Sequence, residues 1–328
     1  MKLSSFNPLL VGLACAAGSL MVSATAQAET LRLSTPVPPS HIFSKVSGRL
    51  AENLGERSDG RYAIEVSPYG RLGNDNELIQ LLQHGAVQLG VVPAASLSSR
   101  EPSFNGWFLP GEFENYDEAG AATQLPAARS MLEKLEPQGM IGLGYIIAGM
   151  RHVLSTDSVE SIDDFTNQKI RVFPNPVFND WWLANGAAPT ALPTSEVAPA
   201  LTTNLLNAVD VDLDFVTALK LYQQAPHLAL TNHMAFPGVV LVSKAWWDRQ
   251  SEADQKMIRE VFQEAEQWGI EEQARVEKEN LATLKDAGVE VVEINTAGYA
   301  ETAAAVRQTY IDSDPLIAEF YHQVVANQ

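Results

Sequence analysis

The chain has 328 residues and one cysteine, and its 40 acidic against 22 basic side chains give a formal charge of −18. So acidic a surface repels polyanions, which excludes nucleic acid and anionic lipid as partners; any anion must be met locally, by a few arginines or a helix N-terminus. The length allows two domains of ordinary size.

Residues 1–28 read as a secretory signal peptide: Lys2, an apolar run from Leu9 to Val22, and Ala26-Gln27-Ala28 as the small-residue cleavage site. The only cysteine, Cys15, lies inside that run, and a lipoprotein reading of Gly12-Leu13-Ala14-Cys15 is the weaker one because the apolar stretch before it is short. Cleavage leaves 300 residues from Glu29, with no cysteine and a charge of −19, so an exported chain must be held by its core and not by disulfides. No later stretch reaches the roughly eighteen consecutive apolar residues of a membrane span, and the expected product is soluble and periplasmic.

From Leu31 the pattern is strand "LRLST", Pro-rich turn "PVPPS", then a helix with Phe43, Val46, Leu50 and Leu54 at helical spacing. "RYAIEVSPYG" alternates as a strand, "NDNELIQLLQHG" is a helix capped by Asn74 or Asp75 and closed by Gly85, and "VQLGVVPA" is an apolar strand. This order predicts a parallel, doubly wound α/β sheet. A second α/β set follows after about residue 150: "HVLST", a helix start at "SVESIDDF", the strand "KIRVF", a helix across "PVFNDWWLANG", and "TALPTSEVAPALTTNLLNAVDVDL". "HMAFPGVVLVS" returns to strand. The stretch from Ser251 to Gly288 then has no proline, a Ser251 cap with Asp254 three residues on, and an apolar stripe of Met257, Ile258, Val261, Phe262 and Ala265. A helix of that length has the reach to cross two domains.

Enzyme signatures are missing: there is no G-x-S-x-G, H-E-x-x-H, Walker loop or G-x-G-x-x-G, and no cysteine after Cys15. His41, His84, His152, His227, His233 and His322 are scattered without metal-ligand spacing and are expected to cap helices or face solvent. No cofactor or metal is expected. The informative residues are Arg151, after the glycine-rich strand "IGLGYIIAGM", and Arg171, inside "KIRVF". A guanidinium keeps its charge, so burying it requires an anion, and its planar fork suits a carboxylate. The alternative is an ion pair with a nearby acid such as Asp163 or Asp164, or a place on an exposed strand face.

The stretch "KIRVFPNPVFNDWWLANGAAPTALPTSEVAPAL" resembles the middle segment of the DctP-type solute-binding proteins of TRAP transporters, where a K-x-R-V strand precedes a helix and a "GA-x-PT-x-(M/L)P-x-SEV" run. "YGRLGNDNELIQLLQHGAVQLGVV" and "LTNHMAFPGVVLVSKAWWDRQSEADQKMI" are similar to two further regions of that family, so the resemblance covers nearly all of residues 29–290. It implies an α/β periplasmic-binding-protein fold, with two doubly wound domains, a cleft between them and a long helix spanning both. The expected partition is 29–149 plus 237–276 for domain I and 150–236 plus 277–328 for domain II. The implied function is reception of a small organic anion for a membrane permease, by a monomer. Arg171 matches the arginine that pairs with the ligand's carboxylate, and Arg151 a second arginine that helps to hold it.

Two positions depart from the family pattern. Val211 falls, on an ungapped reading, where the family has a ligand asparagine; an insertion would put Asp214 there instead. Pro93 stands where sugar-acid binders use a carboxylate. With Phe173, Phe236 and the Pro36–Pro39 loop, and with Asn175 and Asp210 completing the expected site, the cleft reads as poor in hydroxyl acceptors. The expected ligand is a monocarboxylate with an apolar or aromatic remainder, with a sulfonate also compatible. A sensory receptor for the same ligands is one alternative output. A lyase or hydrolase on the same fold is the other, needing an acid-base group from Asp210, Asp212 or Asp214 opposite Arg171.

Overall fold

A computed structural model describes residues 28–328; the expected signal peptide, apart from its last residue, and Cys15 lie outside the described residues. Eleven strands follow in chain order: β1 (Glu29–Ser34), β2 (Tyr62–Ser67), β3 (Leu89–Pro93), β4 (Met140–Met150), β5 (His152–Ser155), β6 (Lys169–Val172), β7 (Ala188–Ala191), β8 (Ala208–Val211), β9 (His227–Leu230), β10 (Ala235–Ser243) and β11 (Glu290–Glu293). They form two sheets, ordered β2-β1-β3-β10-β4 and β11-β9-β5-β8-β6-β7. The parallel β1–β2 and β1–β3 pairs are those the strand-helix-strand pattern predicts. However, β10 runs antiparallel to both β3 and β4, so the first sheet is mixed and not wholly parallel. The reason is topological: the chain leaves the first sheet through β4 and comes back through β10, so these neighbours must point in opposite directions.

The local chemistry of the helices matches their sequence signals. The helix Ile42–Arg57 buries Phe43, Val46, Leu50 and Leu54, and the Asn74 side chain and Glu77 form a reciprocal capping box at the start of Asp75–Gln83. "SVESIDDF" condenses into a single 3-10 turn, Ile162–Phe165, because its own Ser161–Asp164 box closes it and β6 begins at Lys169. The helix Glu252–Asp286 has 35 residues and opens with the Ser251 hydroxyl accepting from the Asp254 amide at 3.1 Å. At about 1.5 Å per residue it is long enough to lie along both sheets. Its first half buries Ile258, Val261, Phe262 and Ala265 beside β4; farther along, Asn280 reaches Asp214 at 3.4 Å, next to β8.

The last helix, Pro315–Asn327, does not follow the expected grouping of 277–328 with the second sheet. Its buried stripe of Ile317, Phe320 and Val324 finds an aromatic partner on the first-sheet side: Phe320 lies 4.8 Å from Trp107, centroid to centroid, and Gln323 accepts from the Ala127 amide at 2.9 Å. Among the described residues no helix is long and apolar enough to cross a membrane.

Gly144, on β4, lies under the long helix in close contact. A Cβ there would stand 2.6 Å from Phe262 and would also collide with the buried carboxylate of Glu266, which accepts from the Tyr145 amide at 2.8 Å. Gly144→Ala is expected to cost about 1–3 kcal/mol through overpacking. Chemical denaturation checks this, and an unchanged midpoint would mean the helix is not seated as described.

Candidate ligand-binding cleft

Arg151 is the single residue between β4 and β5, where the chain crosses from one sheet to the other. The return crossing, Thr231 to Met234, lies beside it, and the Arg151 amide donates to the Met234 carbonyl at 2.7 Å. A pocket opens here between the sheets. The first-sheet side contributes Pro36, Val37, His41, Phe43, Pro93 and Phe236. From the second-sheet side come Arg171, Phe173, Thr194, Val211, Asp212 and Phe215, with Arg151 at the crossing. Its free volume is about 20 Å³, room for about one water, so the walls stand close together.

The two arginines are both about 2 % exposed but differ in their partners. Arg151 is neutralised from within: its Nε donates to Asp210 Oδ1 at 2.6 Å, one Nη to Asp212 Oδ2 at 3.1 Å, and the other Nη to the Asp210 carbonyl. Its guanidinium also lies 4.5 Å from the Phe236 ring centroid. Asp210 is fully buried and takes two further donors on Oδ2, Trp182 Nε1 at 2.7 Å and His233 Nε2 at 2.9 Å. Burial alone would raise the Asp210 carboxyl, but Arg151 and His233 outweigh it and hold it well below the usual carboxylate range. His233 is in turn fixed by Thr231 at 2.8 Å, so the "TNH" run is the backing of the Arg151 site.

Among the described residues Arg171 has no carboxylate partner within ion-pair distance. Its Nε donates to the Leu192 carbonyl at 2.9 Å, its guanidinium lies 5.5 Å from the Phe173 ring, and Nη2 is buried without any acceptor. Burial, then the neighbouring charge of Arg151, pull its pKa down to about 9; the group stays charged at neutral pH but at a cost that an arriving anion would remove.

Several contacts join the two sides of the cleft. Asp214 Oδ2 accepts from the Ile42 amide at 2.7 Å, so a carboxylate from the second side sits at the N-terminus of the helix Ile42–Arg57. His41 places Nε2 3.6 Å from Asp212 and Nδ1 3.9 Å from Asp214. Asn175 Nδ2 donates to Ser98 Oγ and Asn105 Oδ1, each at 2.9 Å, while its Oδ1 caps Val177.

Of the eight residues expected at the ligand, six line the pocket: Arg151, Arg171, Phe173, Pro93, Val211 and Phe236. Asn175 and Asp210 do not. Asn175 is spent on the clasp between the two sides, and Asp210 lies behind Arg151 with its carboxylate engaged by internal donors. The expectation that every histidine caps or faces solvent fails for His152 and His233, which are buried. His41 does cap in its neutral form, its Nδ1 accepting from the Phe43 amide at 3.2 Å, a bond given up on protonation, and it also lines the pocket. Its one sequence cue was its place directly after the Pro36–Pro39 loop. Asp163 and Asp164, the acids considered as arginine partners, have no part here; Asp164 accepts from the Ser161 amide at 2.9 Å in its own capping box. Among the described residues no group of three His, Cys, Asp or Glu side chains could hold a metal ion.

Two outcomes follow from this geometry. Asp210→Ala would leave Arg151, His233 and Trp182 facing a void, and the expected loss is about 3–5 kcal/mol by chemical denaturation; a loss below about 1 kcal/mol would contradict the buried network. Burial opposes a charge on His41, but Asp214 and Asp212 outweigh it and hold its pKa above 6.5. Its stabilising contribution is therefore full below about pH 6.5 and is lost as pH rises through the raised value. His152 acts in the opposite sense, because burial and then His233 and Arg151 lower it to about 3. The difference in stability between the parent protein and His41→Gln isolates the first effect: it should be larger at about pH 5.5 than at about pH 8, and a pH-independent difference would exclude it.

The family described as "Bacterial extracellular solute-binding protein, family 7" (DctP) matches residues 33–313. The C4-dicarboxylate-binding periplasmic protein DctP of Rhodobacter capsulatus is 28% identical over 286 residues, 85% of this chain and 84% of that protein. Among solved structures, the sugar acid binding protein of Advenella mimigardefordensis in complex with galactonate is 26% identical with a TM-score of 0.85, covering 92% of this chain and 97% of that one. A TRAP periplasmic solute binding protein of Xanthobacter autotrophicus with bound β-D-galacturonate has the same TM-score at 21% identity, covering 90% and 99%. The chain belongs to the bacterial extracellular solute-binding protein family 7, the DctP-type receptors of TRAP transporters, and is a solute-binding protein and not an enzyme.

Proposed function

We propose that this receptor takes a compact monocarboxylate with an apolar or aromatic remainder and delivers it to the permease subunits of a TRAP transporter. The observation that carries the reading is Arg171: a buried guanidinium with a free Nη2, in a pocket that also presents Phe43, Phe173, Phe215 and Phe236. The carboxylate completes the fork of Arg171. Arg151, already neutralised by Asp210 and Asp212, lends shape and hydrogen-bonding context more than net charge. Val211 and Pro93 offer a ligand no side-chain hydrogen bond, which leaves His41, Thr194 and Asp212 as the polar groups for a hydroxyl or oxo substituent.

A second reading, a sugar acid, is favoured by the galactonate complex of the 26%-identical relative. A polyhydroxylated chain brings several hydroxyls that need partners on burial, and unpaired ones cost about 1–3 kcal/mol each. The apolar wall weighs against it. The family's usual address implies action in the periplasm, with a cleavable leader in residues 1–28 and a monomeric receptor as part of the same proposal.

Calorimetry with a panel of branched 2-oxo and 2-hydroxy acids, aromatic acids and hexuronates tests the ligand class. Binding is expected among the first two groups, and a preference for hexuronates would replace the reading with the second one. Arg171→Ala should weaken the best ligand by roughly a hundredfold or more, since each charge-assisted bond contributes about 1.5–3 kcal/mol. A folded Arg171→Ala protein with unchanged affinity would remove Arg171 from the site.

A further inference from the structure

Behind the hinge, on the face opposite the cleft, lies a second cavity of about 300 Å³. All three segments that connect the two sheets border it. Met150 and His152 flank Arg151 on the outgoing crossing, Leu230 and Asn232 lie on the return, and Ala274, Glu277, Lys278 and Leu281 come from the helix Glu252–Asp286. At the outgoing crossing the alternation is that of extended chain, Arg151 lining the cleft and its neighbours Met150 and His152 this cavity, which Leu213 joins from the start of the helix after β8.

Its polar content is one-sided. Glu277 Oε1 accepts from the Met150 amide at 3.1 Å, and Oε2 has no protein partner among the described contacts. Tyr116 is 6 % exposed, lines the same cavity, and its hydroxyl has no hydrogen-bond partner, which is costly for a buried phenol. Glu114 and Asp117 stand at the rim, and the lone cation there, Lys278, is solvent-exposed. Burial, with further push from Asp212, Asp214 and Asp117, raises Glu277 to about 7, so a positive charge placed beside it would relieve a strained carboxylate. His152 supplies no such charge, being held neutral by its burial. The remaining wall is apolar: Leu213, Leu230 and Leu281.

We propose that this cavity is a second small-molecule site, specific for an organic monocation such as a short primary amine, with the ammonium between Glu277 and the Tyr116 hydroxyl and the carbon chain against the leucines. An ammonium presents three donors to these two acceptors, and an acidic protein concentrates cations at its surface. Because the occupant touches every segment that crosses the hinge, it also bears on closure of the cleft on the other side. The site shares no residue with the cleft, so the proposal stands or falls separately from the ligand reading above.

The test is titration of the purified protein with n-butylamine and benzylamine, followed by calorimetry or by chemical-shift changes, with n-butanol and butyrate as neutral and anionic comparators. Saturable binding of an amine, absent for both comparators, is expected. Glu277→Gln should weaken it by about tenfold or more and Tyr116→Phe by a smaller factor. If Glu277→Gln does not fold, Leu281→Trp, which fills the cavity from its apolar wall, should abolish binding instead. No saturation below about 10 mM amine, equal binding of n-butanol, or indifference to both Glu277→Gln and Leu281→Trp would overturn the proposal.

Discussion

The structure is organised around a buried guanidinium that the protein does not neutralise. Arg171 sits on β6 with a backbone carbonyl on Nε and a bare Nη2, and it lines the same pocket as a second arginine whose charge is fully answered. A buried, unpaired charge is tolerable only where something completes it, and on the proposed reading the completing group comes from the cleft. The rest of the fold makes that possible. Two sheets supply the two walls, and Arg151 is the one residue between β4 and β5, where the chain passes from the first to the second.

The difference between the two arginines divides the work of the site. Arg151 is tied to Asp210 and Asp212, and through Asp210 to His233, Thr231 and Trp182, so the crossing point is rigid and its charge is balanced in advance. Trp181 stacks on the other face of His233, with the rings 12° from parallel. Both tryptophans of "FNDWW" therefore serve this core, while the neighbouring "KIRVF" presents the cation to the cleft. Closure is a separate matter, carried by contacts that need no ligand: Asp214 on the helix start at Ile42, His41 between two carboxylates, and Asn175 on Ser98 and Asn105. In a receptor that opens and closes, such contacts set how much of the closed form exists before ligand arrives.

Much of this was legible in the residues. The residues alone leave Arg171 open between an ion pair, an exposed strand face and an anion site, with the family resemblance favouring the last, while helical spacing with caps locates the helices at 42, 75 and 252. What stayed hidden depends on register between distant segments. Asp210 and Asp212 meet Arg151 because β5 pairs antiparallel with β8, setting His152 against Val211 and Val153 against Asp210. No spacing in the chain announces that, and the acids that looked near in sequence, Asp163 and Asp164, turned out to be a local cap. The same holds for His233, whose burial follows from the return crossing, and for the C-terminal helix, whose apolar stripe fits either sheet until Trp107 is seen beside Phe320.

A high-resolution crystal structure of the protein with ligand retained from its source, or soaked from the acid panel, bears most directly on the central claim. The account predicts an anionic group within hydrogen-bond distance of Arg171 Nη2, with Arg151 still held by Asp210 and Asp212. An anion bound elsewhere, or a protein oxygen completing Arg171 in the liganded form, would contradict it.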